Sequence, residues 1–190
     1  GKTIEAGLIL RELQSRQKVE RVLIMCPKAL VTKWQAEMRR FDESFRILDG
    51  PALRYCLREA HMEGVWPAEY SRAIVHYELV RREEHRLGDD TRRDRIYGLE
   101  ELDPPPSFDL VIADEAHHLR NPDSLGFKFV DYLQRITDAL VLLSATPVQT
   151  DASDLFWLLN LIRSDLFPSP SVFAEQVEPN RYLSAAVRAL

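Results

Sequence analysis

The chain has 190 residues, enough for one domain of ordinary size, and its 45% hydrophobic and 29% charged residues can fill a core and exclude global disorder. A net charge of −5 argues against a protein that binds nucleic acid through its overall charge alone, although the same net charge is compatible with a local basic groove. Two cysteines make neither a disulfide framework nor a metal knuckle, and no apolar stretch reaches the ~18 residues of a membrane span, so we expect a soluble cytoplasmic protein.

The first chemical signal lies at the start of the chain, where Gly1, Lys2 and Thr3 precede an amphipathic pattern that predicts a helix from Ile4 onward. In a phosphate-binding loop, a lysine ammonium in this position reaches the β and γ phosphates, and the following hydroxyl holds magnesium. The glycine-rich first half of such a loop does not precede Gly1 in this sequence. An ordinary helix start is therefore the alternative.

Short apolar runs alternate with amphipathic stretches, which predicts an α/β fold with a mostly parallel sheet and helices on both faces. The runs that predict buried strands are Val22 to Cys26, Ala73 to His76, Leu110 to Ala113 and Ala139 to Leu143. Residues at helical spacing are Leu30, Trp34, Met38 and Phe41, then Leu125, Phe129, Leu133 and Ile136, and finally Leu155, Leu158, Leu159 and Ile162. Trp34 and Trp157 fall on apolar helix faces and are predicted in the core, which leaves Trp66, beside Pro67, as the one tryptophan that is a candidate for exposure.

Two regions interrupt this alternation. The segment from Arg81 to Arg95 is dense in charges of both signs, which favours a solvated helix and loop over a basic arm for nucleic acid. Pro104 to Pro106 predict a stiff connector before a strand that begins near Phe108. The periodicity weakens after residue 170, so we assign residues 1–170 to one domain and predict that residues 171–190 form an incomplete element or a linker.

Two adjacent acids follow the predicted strand from Phe108 to Ala113. Because ligands of an open α/β sheet bind beyond the carboxyl ends of its strands, Asp114 and Glu115 come where a metal-bound nucleotide would lie. There Asp114 can hold magnesium, directly or through water, while Glu115 orients and deprotonates an attacking water. The alternative is a pair of acids that ends the strand and caps the next helix. The tripeptide at the start of the chain argues against that alternative.

A third polar group, Ser144 to Pro147, follows the last predicted strand. Its small hydroxyl residues can hydrogen-bond the acidic turn on the neighbouring strand and respond to the presence of a γ phosphate. In isolation the tetrapeptide predicts only a strand followed by a turn. Its position after the other two groups is what makes it informative.

Five segments together resemble motifs I, Ia, Ib, II and III of superfamily-two helicases. In that order they are Gly1-Lys2-Thr3, Pro27-Lys28-Ala29-Leu30-Val31 with Trp34 and Glu37, His76-Tyr77-Glu78, Asp114-Glu115-Ala116-His117 and Ser144-Ala145-Thr146-Pro147. The stretch from Leu155 to Asn160, followed by Asp165-Leu166-Phe167, is similar to the segment after motif III in SWI/SNF-type double-stranded DNA translocases. Residues Gly1 to Leu10 and His118 to Asn121 most resemble the bacterial branch of that family, which includes an RNA-polymerase-recycling ATPase.

The resemblance implies the first RecA-like lobe of a P-loop NTPase that hydrolyses ATP with Mg²⁺ and moves along DNA. It assigns ATP binding to Gly1, Lys2 and Thr3, Mg²⁺ binding to Thr3 and Asp114, and hydrolysis to Asp114 and Glu115. It assigns the coupling between nucleotide state and lobe movement to His117, Ser144 and Thr146. DNA contact is assigned to Lys28, Thr32 and Tyr77. Such DNA contacts are made with phosphates, which position a protein on any duplex without reading base sequence.

The same resemblance implies partners beyond this chain. They are double-stranded DNA, RNA polymerase or another DNA-bound protein, and a second RecA-like lobe that supplies an arginine finger. Such a finger is worth roughly 10³ to 10⁵ in rate in other nucleotide hydrolases, so this lobe by itself is expected to be nearly inactive. A nucleoid-associated, bacterial protein is also implied. Two alternatives stay open: a non-hydrolysing module that binds DNA or a protein, and an RNA helicase lobe of the same superfamily.

Overall fold

A parallel β-sheet forms the centre of the computed structural model, which describes residues 1–91, 93–145 and 152–176. Its strands are β1 (Val22–Cys26), β2 (Arg46–Ile47), β3 (Arg72–His76), β4 (Leu110–Asp114) and β5 (Leu140–Leu143). They lie in the order β2-β3-β1-β4-β5, and every neighbouring pair is parallel. The sheet confirms the predicted α/β fold, since all strands except β2 coincide closely with the four apolar runs.

Helices cover both faces of the sheet, as predicted. They are α1 (Lys2–Arg16), α2 (Val31–Arg39), α3 (Gly50–Glu63), α4 (Tyr77–Val80), α5 (Glu84–Leu87), α6 (Leu125–Arg135) and α7 (Ala152–Ile162), and residues 170–176 are also helical. The buried side chains form two clusters. One joins α1 and α2 to the sheet and contains Trp34 and Ile24, and the other joins α3 and α6 to the sheet and contains Leu57, Phe129 and Met25. Because successive strand residues point to opposite faces, Ile24 and Met25 enter different clusters.

The sequence patterns did not indicate β2 or α3. Local signals nevertheless define α3, because the Asp49 side chain accepts a hydrogen bond from the Ala52 amide at 2.9 Å and Pro51 lies in the first turn. Gly64 ends the helix with a left-handed φ of 69°. β2 has only two residues, both exposed, so no apolar run marks it. Since α3 begins directly after β2, its first turn lies at the carboxyl edge of the sheet.

The structure does not support Trp66 as an exposed tryptophan. Its side chain is buried, its ring packs edge-on against Phe108 with the centroids 5.6 Å apart, and its indole N–H donates to the Tyr70 carbonyl at 3.1 Å. The burial comes from a residue far away in sequence, which local periodicity does not show. Phe108 itself precedes β4 and forms an isolated bridge to Thr137.

The charged segment and the stretch of weak periodicity after residue 170 differ in how they pack. In its described part, the charged segment from Arg81 to Arg95 contains α5 and is mostly exposed, as predicted, although His85 is fully buried. Farther along, Phe173 packs on Phe156 and on Phe167, with ring centroids 5.8 Å apart in each pair. The domain boundary at residue 170 stays a prediction, and residues 177–190 lie outside the described residues. Across the described ranges, no helix has both the length and the apolar character that a bilayer crossing requires.

Candidate active site

A cleft of about 370 Å³ opens at the carboxyl ends of β1 and β4. The chain passes from β3 on one side of β1 to β4 on the other, so the strand order reverses here, and ligands of open α/β sheets bind at such points. The walls come from the start of α1, from α2 with the turn before it and from the turn after β4. The lining residues are Gly1, Lys2, Thr3, Ile4, Leu30, Lys33, Trp34, Glu37, Arg40, Asp114 and Glu115.

Lys2 meets both predicted acids, although Glu115 lies 113 residues away in sequence. The Lys2 Nζ is 2.6 Å from Glu115 Oε1 and 3.6 Å from Asp114 Oδ1. The hydrogen bond from Lys2 lowers the pKa of Glu115, against the opposing effect of burial, so this carboxylate is ionised at neutral pH. The structure thus brings one ammonium into contact with the two carboxylates that the sequence analysis assigned to the same site.

Asp114 is the buried acid of the pair, with 4% of its surface exposed. Its Oδ2 accepts a hydrogen bond from Trp34 Nε1 at 2.8 Å, and its Oδ1 accepts one from the Glu115 backbone N–H at 2.9 Å. The Tyr77 hydroxyl donates to the backbone carbonyl of Asp114 at 2.7 Å. Burial of a carboxylate is costly unless hydrogen bonds compensate it, and the indole and backbone N–H donors to Oδ2 and Oδ1 do so. Sequence reasoning missed the role of Trp34, because helical spacing indicates the face of a residue but not its partner.

The backbone of Glu115 adopts the left-handed region, with φ 50° and ψ 49°. This conformation is uncommon for a residue with a side chain, and such strain collects at functional sites. The turn ends β4 and starts the short 3₁₀ segment Ala116–Leu119. The Glu115 side chain makes no cap hydrogen bond to that segment and contacts Lys2 instead, so the geometry does not support a simple helix cap.

Two histidines extend the acidic turn. His117 Nδ1 lies 3.3 Å from Glu115 Oε2 without hydrogen-bond geometry, and the rings of His117 and His118 are 4.4 Å apart. His118 also lies 5.6 Å from the ring of Tyr77, and burial, followed by the neighbouring His117, lowers the pKa of His118. His117 is therefore adjacent to the catalytic candidate Glu115, while its coupling role stays a prediction.

The remaining predicted site residues follow the carboxyl ends of other strands. Lys28 and Thr32 are exposed, in the turn and the helix that come after β1. Tyr77 corrects an expectation, because it is 2% exposed and donates its hydroxyl to a backbone carbonyl, so it presents no contact to DNA in this structure. Ser144 is half-buried directly after β5, and Thr146 lies outside the described residues.

The residues around Lys2 fit a magnesium nucleotide. Within the described ranges, no group of three or more His, Cys, Asp or Glu side chains is arranged to hold a metal. Mg²⁺ does not require one, because it is usually bound by one or two carboxylates together with substrate phosphates and water, a role that suits Asp114 and the Thr3 hydroxyl. Gly1 supplies no side-chain cap to α1, so the free amides of the first turn suit phosphate oxygens at the positive end of the helix dipole.

A second cleft, of about 680 Å³, lies between α3 and the charged segment. Its lining, which we call the arginine groove, is Pro51, Arg54, Tyr55, Arg58, Arg93, Asp94, Arg95 and Ile96. Arg58 lies 3.3 Å from a carboxylate oxygen of Glu59, and Arg95 lies 3.1 Å from one of Glu101. Such exposed pairs contribute little and leave the groove rich in cations. It is the kind of local basic surface that the net charge allowed, and the sequence marks it only by Arg54 and Arg58, one turn apart on α3.

Comparison with known proteins points to one family. Residues 1–188 match the SNF2-related domain. The RNA polymerase-associated protein RapA of Pasteurella multocida is 34% identical over 197 residues, which cover 100% of this chain and 19% of that protein. The RapA of Yersinia enterocolitica is 32% identical over 195 residues, which cover 100% of this chain and 18% of that protein. The chain thus spans about a fifth of the length of these relatives.

A solved structure shares the fold. The Sulfolobus solfataricus SWI2/SNF2 ATPase core in complex with double-stranded DNA matches with a TM-score of 0.66 and 19% sequence identity. The match covers 92% of this chain and 32% of that one. At this level of identity the likeness concerns the fold, and it confirms the RecA-like arrangement of the sheet and its helices.

Proposed function

The chain belongs to the SNF2-related domain family, and from this premise we propose that it is the ATP-hydrolysing first lobe of a motor that moves along double-stranded DNA. The observation that carries the proposal is the contact of the Lys2 ammonium with both Asp114 and Glu115 at the start of α1. This arrangement suits the terminal phosphate of a nucleotide, which needs a cation beside it, a carboxylate for Mg²⁺ and a carboxylate that positions water.

Each residue of the proposed site has a distinct task. The amides at the start of α1 and the Lys2 ammonium bind the phosphates, and a bound phosphate replaces Glu115 as the partner of Lys2. Asp114 and Thr3 hold Mg²⁺, which neutralises charge on the phosphates when it is bound. Glu115 is an ionised carboxylate that orients a water molecule and accepts its proton. His117, together with Ser144 and Thr146 that follow β5 in sequence, couples the nucleotide state to lobe movement.

We assign DNA contact to the carboxyl edge of the sheet, where Lys28 and Thr32 are exposed and where α3 and its arginine groove begin. Backbone phosphates are the partners that these groups favour, and they carry no base sequence. The Sulfolobus core with this fold is in complex with double-stranded DNA, and the named relatives are RNA polymerase-associated. By analogy, the complete protein uses a second RecA-like lobe and acts on RNA polymerase or another DNA-bound protein.

Glu115→Gln in the complete protein tests the hydrolytic role. The variant should bind ATP as the parent does, because the amide keeps the size of the side chain, and should lose DNA-stimulated hydrolysis by about 10²- to 10⁴-fold with the general base removed. Glu5→Gln, at an exposed position of α1, is the matched control and should retain activity. Undiminished DNA-stimulated hydrolysis in Glu115→Gln would refute the assignment.

The nucleic-acid partner is tested by comparing polymers. Duplex DNA should stimulate hydrolysis by the complete protein, in a salt-dependent manner that reflects phosphate contacts. Stimulation by single-stranded RNA but not by duplex DNA would favour an RNA helicase lobe of the same superfamily. DNA binding without any hydrolysis by the complete parent protein would favour the non-hydrolysing module.

A further inference from the structure

The buried indole of Trp34 contacts the acid that is assigned to Mg²⁺. Trp34 is 1% exposed, and its Nε1 lies 2.8 Å from Asp114 Oδ2. An indole has a single donor and no acceptor, so a phenylalanine at this position would fill much of the same apolar space without the hydrogen bond. The polar contact, more than the burial, is therefore the specific contribution of a tryptophan here.

The contact distinguishes the two carboxylate oxygens of Asp114. Oδ2 accepts the bond from Trp34, while Oδ1 is 3.6 Å from the Lys2 Nζ at the cleft. Oδ1 also accepts the Glu115 backbone N–H bond at 2.9 Å, so a carboxylate without the indole donor would keep that bond but lose its hydrogen bond at Oδ2, and its rotation would be less restricted. Removal of the hydrogen-bond partner of a metal-binding group typically costs 10- to 100-fold in metal affinity or activity.

The helix that carries Trp34 also carries an exposed residue assigned to DNA. Thr32 and Trp34 are two positions apart, which is about 200° around an α-helix, so one faces solvent and the other faces the core. The 3₁₀ turn Lys28–Leu30 leads directly into α2, which is only nine residues long. Because Thr32 and Trp34 lie on the same short helix, a shift of the whole helix would move both side chains together.

A second donor reaches Asp114 from the segment after β3. The buried Tyr77 hydroxyl donates to the Asp114 backbone carbonyl at 2.7 Å. Asp114 is thus fixed through its side chain by α2 and through its backbone by α4. These are the two segments that sequence resemblance associates with DNA.

We propose that Trp34 is a positioning residue that, together with Tyr77, orients Asp114 for Mg²⁺ and transmits DNA contact at α2 to that carboxylate. The inference rests on the proposed function, because it takes Mg²⁺ and duplex DNA as the ligands of this lobe. It adds a specific path between the two ligands, which runs from Lys28 and Thr32 through α2 to the indole N–H and then to Asp114 Oδ2.

Trp34→Phe in the complete protein tests the inference by a binding measurement. Binding of a fluorescent ATP analogue is followed at equilibrium while Mg²⁺ is titrated, with and without duplex DNA. The variant should need about 10-fold more Mg²⁺ for half-saturation, with unchanged binding in the absence of Mg²⁺. In the parent, duplex DNA should lower the half-saturating Mg²⁺ concentration, and in Trp34→Phe this lowering should be lost.

Trp66→Phe is the matched control. It also removes a buried indole hydrogen bond, to the Tyr70 carbonyl at 3.1 Å, but Trp66 belongs to the cluster on the opposite face of the sheet. This control should keep the parental Mg²⁺ dependence with and without DNA. An equal shift in both variants would overturn the inference, because a general loss of packing would then explain it.

Two further results would overturn the inference. One is a parental Mg²⁺ requirement in Trp34→Phe, and the other is a half-saturating Mg²⁺ concentration that duplex DNA still lowers in Trp34→Phe. If Trp34→Phe does not fold, Tyr77→Phe replaces it. The half-saturating Mg²⁺ concentration should then rise in Tyr77→Phe, and a parental Mg²⁺ titration in that variant would overturn the inference. The hydrolysis assay on Glu115→Gln stays separate. Retained turnover there refutes the proposed function, whereas an unaltered Mg²⁺ titration in Trp34→Phe beside an inactive Glu115→Gln refutes only the path through the indole.

Discussion

Lys2→Met removes the cation that contacts both acids of the site and keeps the apolar part of the side chain. The side chains of Lys2 and Glu115 are 26% and 24% exposed. Their ion pair therefore lies between an exposed pair, worth up to about 1 kcal/mol, and a buried pair, whose disruption costs about 3 to 5 kcal/mol. We expect the free energy of unfolding to fall by about 2 kcal/mol. With a urea dependence of about 2 kcal/mol per molar, the unfolding midpoint would shift by about 1 M.

Urea titration of the chain without nucleotide, followed by circular dichroism, measures this shift, and a double-mutant cycle with Glu115→Gln assigns its cause. In the Glu115→Gln background the charged contact that is left to Lys2 is the one to Asp114, at 3.6 Å. The cost of Lys2→Met should then fall to about 1 kcal/mol, which gives a coupling free energy of about 1 kcal/mol. A coupling below about 0.3 kcal/mol, as found for independent sites, would refute the reasoning that the 2.6 Å contact with Glu115 stabilises the fold.

Three further predictions concern pH, DNA and the core. Because its lysine partner lowers the pKa of Glu115 in the folded state, the stability that Glu115 contributes should be complete at pH 6 and decline as the pH falls below about 4.3. The difference between the urea midpoints of the parent and Glu115→Gln measures this contribution at each pH, and a contribution that grows as the pH falls would contradict the prediction. Arg54→Glu combined with Arg58→Glu should weaken duplex DNA binding and reduce the slope of log K against log salt by about 2. The control Arg135→Glu, at the end of α6 on the opposite edge of the sheet, should change neither quantity, and an unaltered slope in the double variant would exclude the arginine groove from the DNA contact. Leu57→Ala, at a fully buried position of α3, should lower the free energy of unfolding by about 2 to 5 kcal/mol in the same urea titrations, and a loss below about 1 kcal/mol would contradict the packing of this helix.

The fold was predictable from sequence where its physical cause is local. The runs Val22 to Cys26 and Leu110 to Ala113 are apolar throughout because both faces of a central parallel strand are covered by helices. β2 is an edge strand of two exposed residues, so no apolar run marks this strand in the sequence. The cap at Asp49 and the left-handed Gly64 that bound α3 are recognisable afterwards, but each residue type is also common in ordinary turns.

The site was predictable in its residue types and only partly in its contacts. Lys2, Asp114 and Glu115 were assigned together because a helix start and a strand end fix where polar groups emerge from an α/β sheet. Tyr77 was assigned to DNA because resemblance to a motif locates a segment without giving the direction of a side chain. The structure turns that hydroxyl inward, onto a backbone carbonyl. The indole contact of Trp34 spans 80 residues of sequence, a separation at which periodicity carries no information.

The burial of Asp114 gives these contacts a functional consequence. A carboxylate that is 4% exposed needs hydrogen-bond donors to offset the cost of its burial, and here the donors come from α2, from the backbone of the next residue and, at longer range, from α1. A displacement of α2 would therefore alter one of the hydrogen bonds to this acid directly. Coupling between two binding equilibria is reciprocal. If duplex DNA on the outer face of α2 strengthens Mg²⁺ binding at Asp114 by some factor, Mg²⁺ must strengthen DNA binding by the same factor, and in that case a single helix would couple the two proposed ligands.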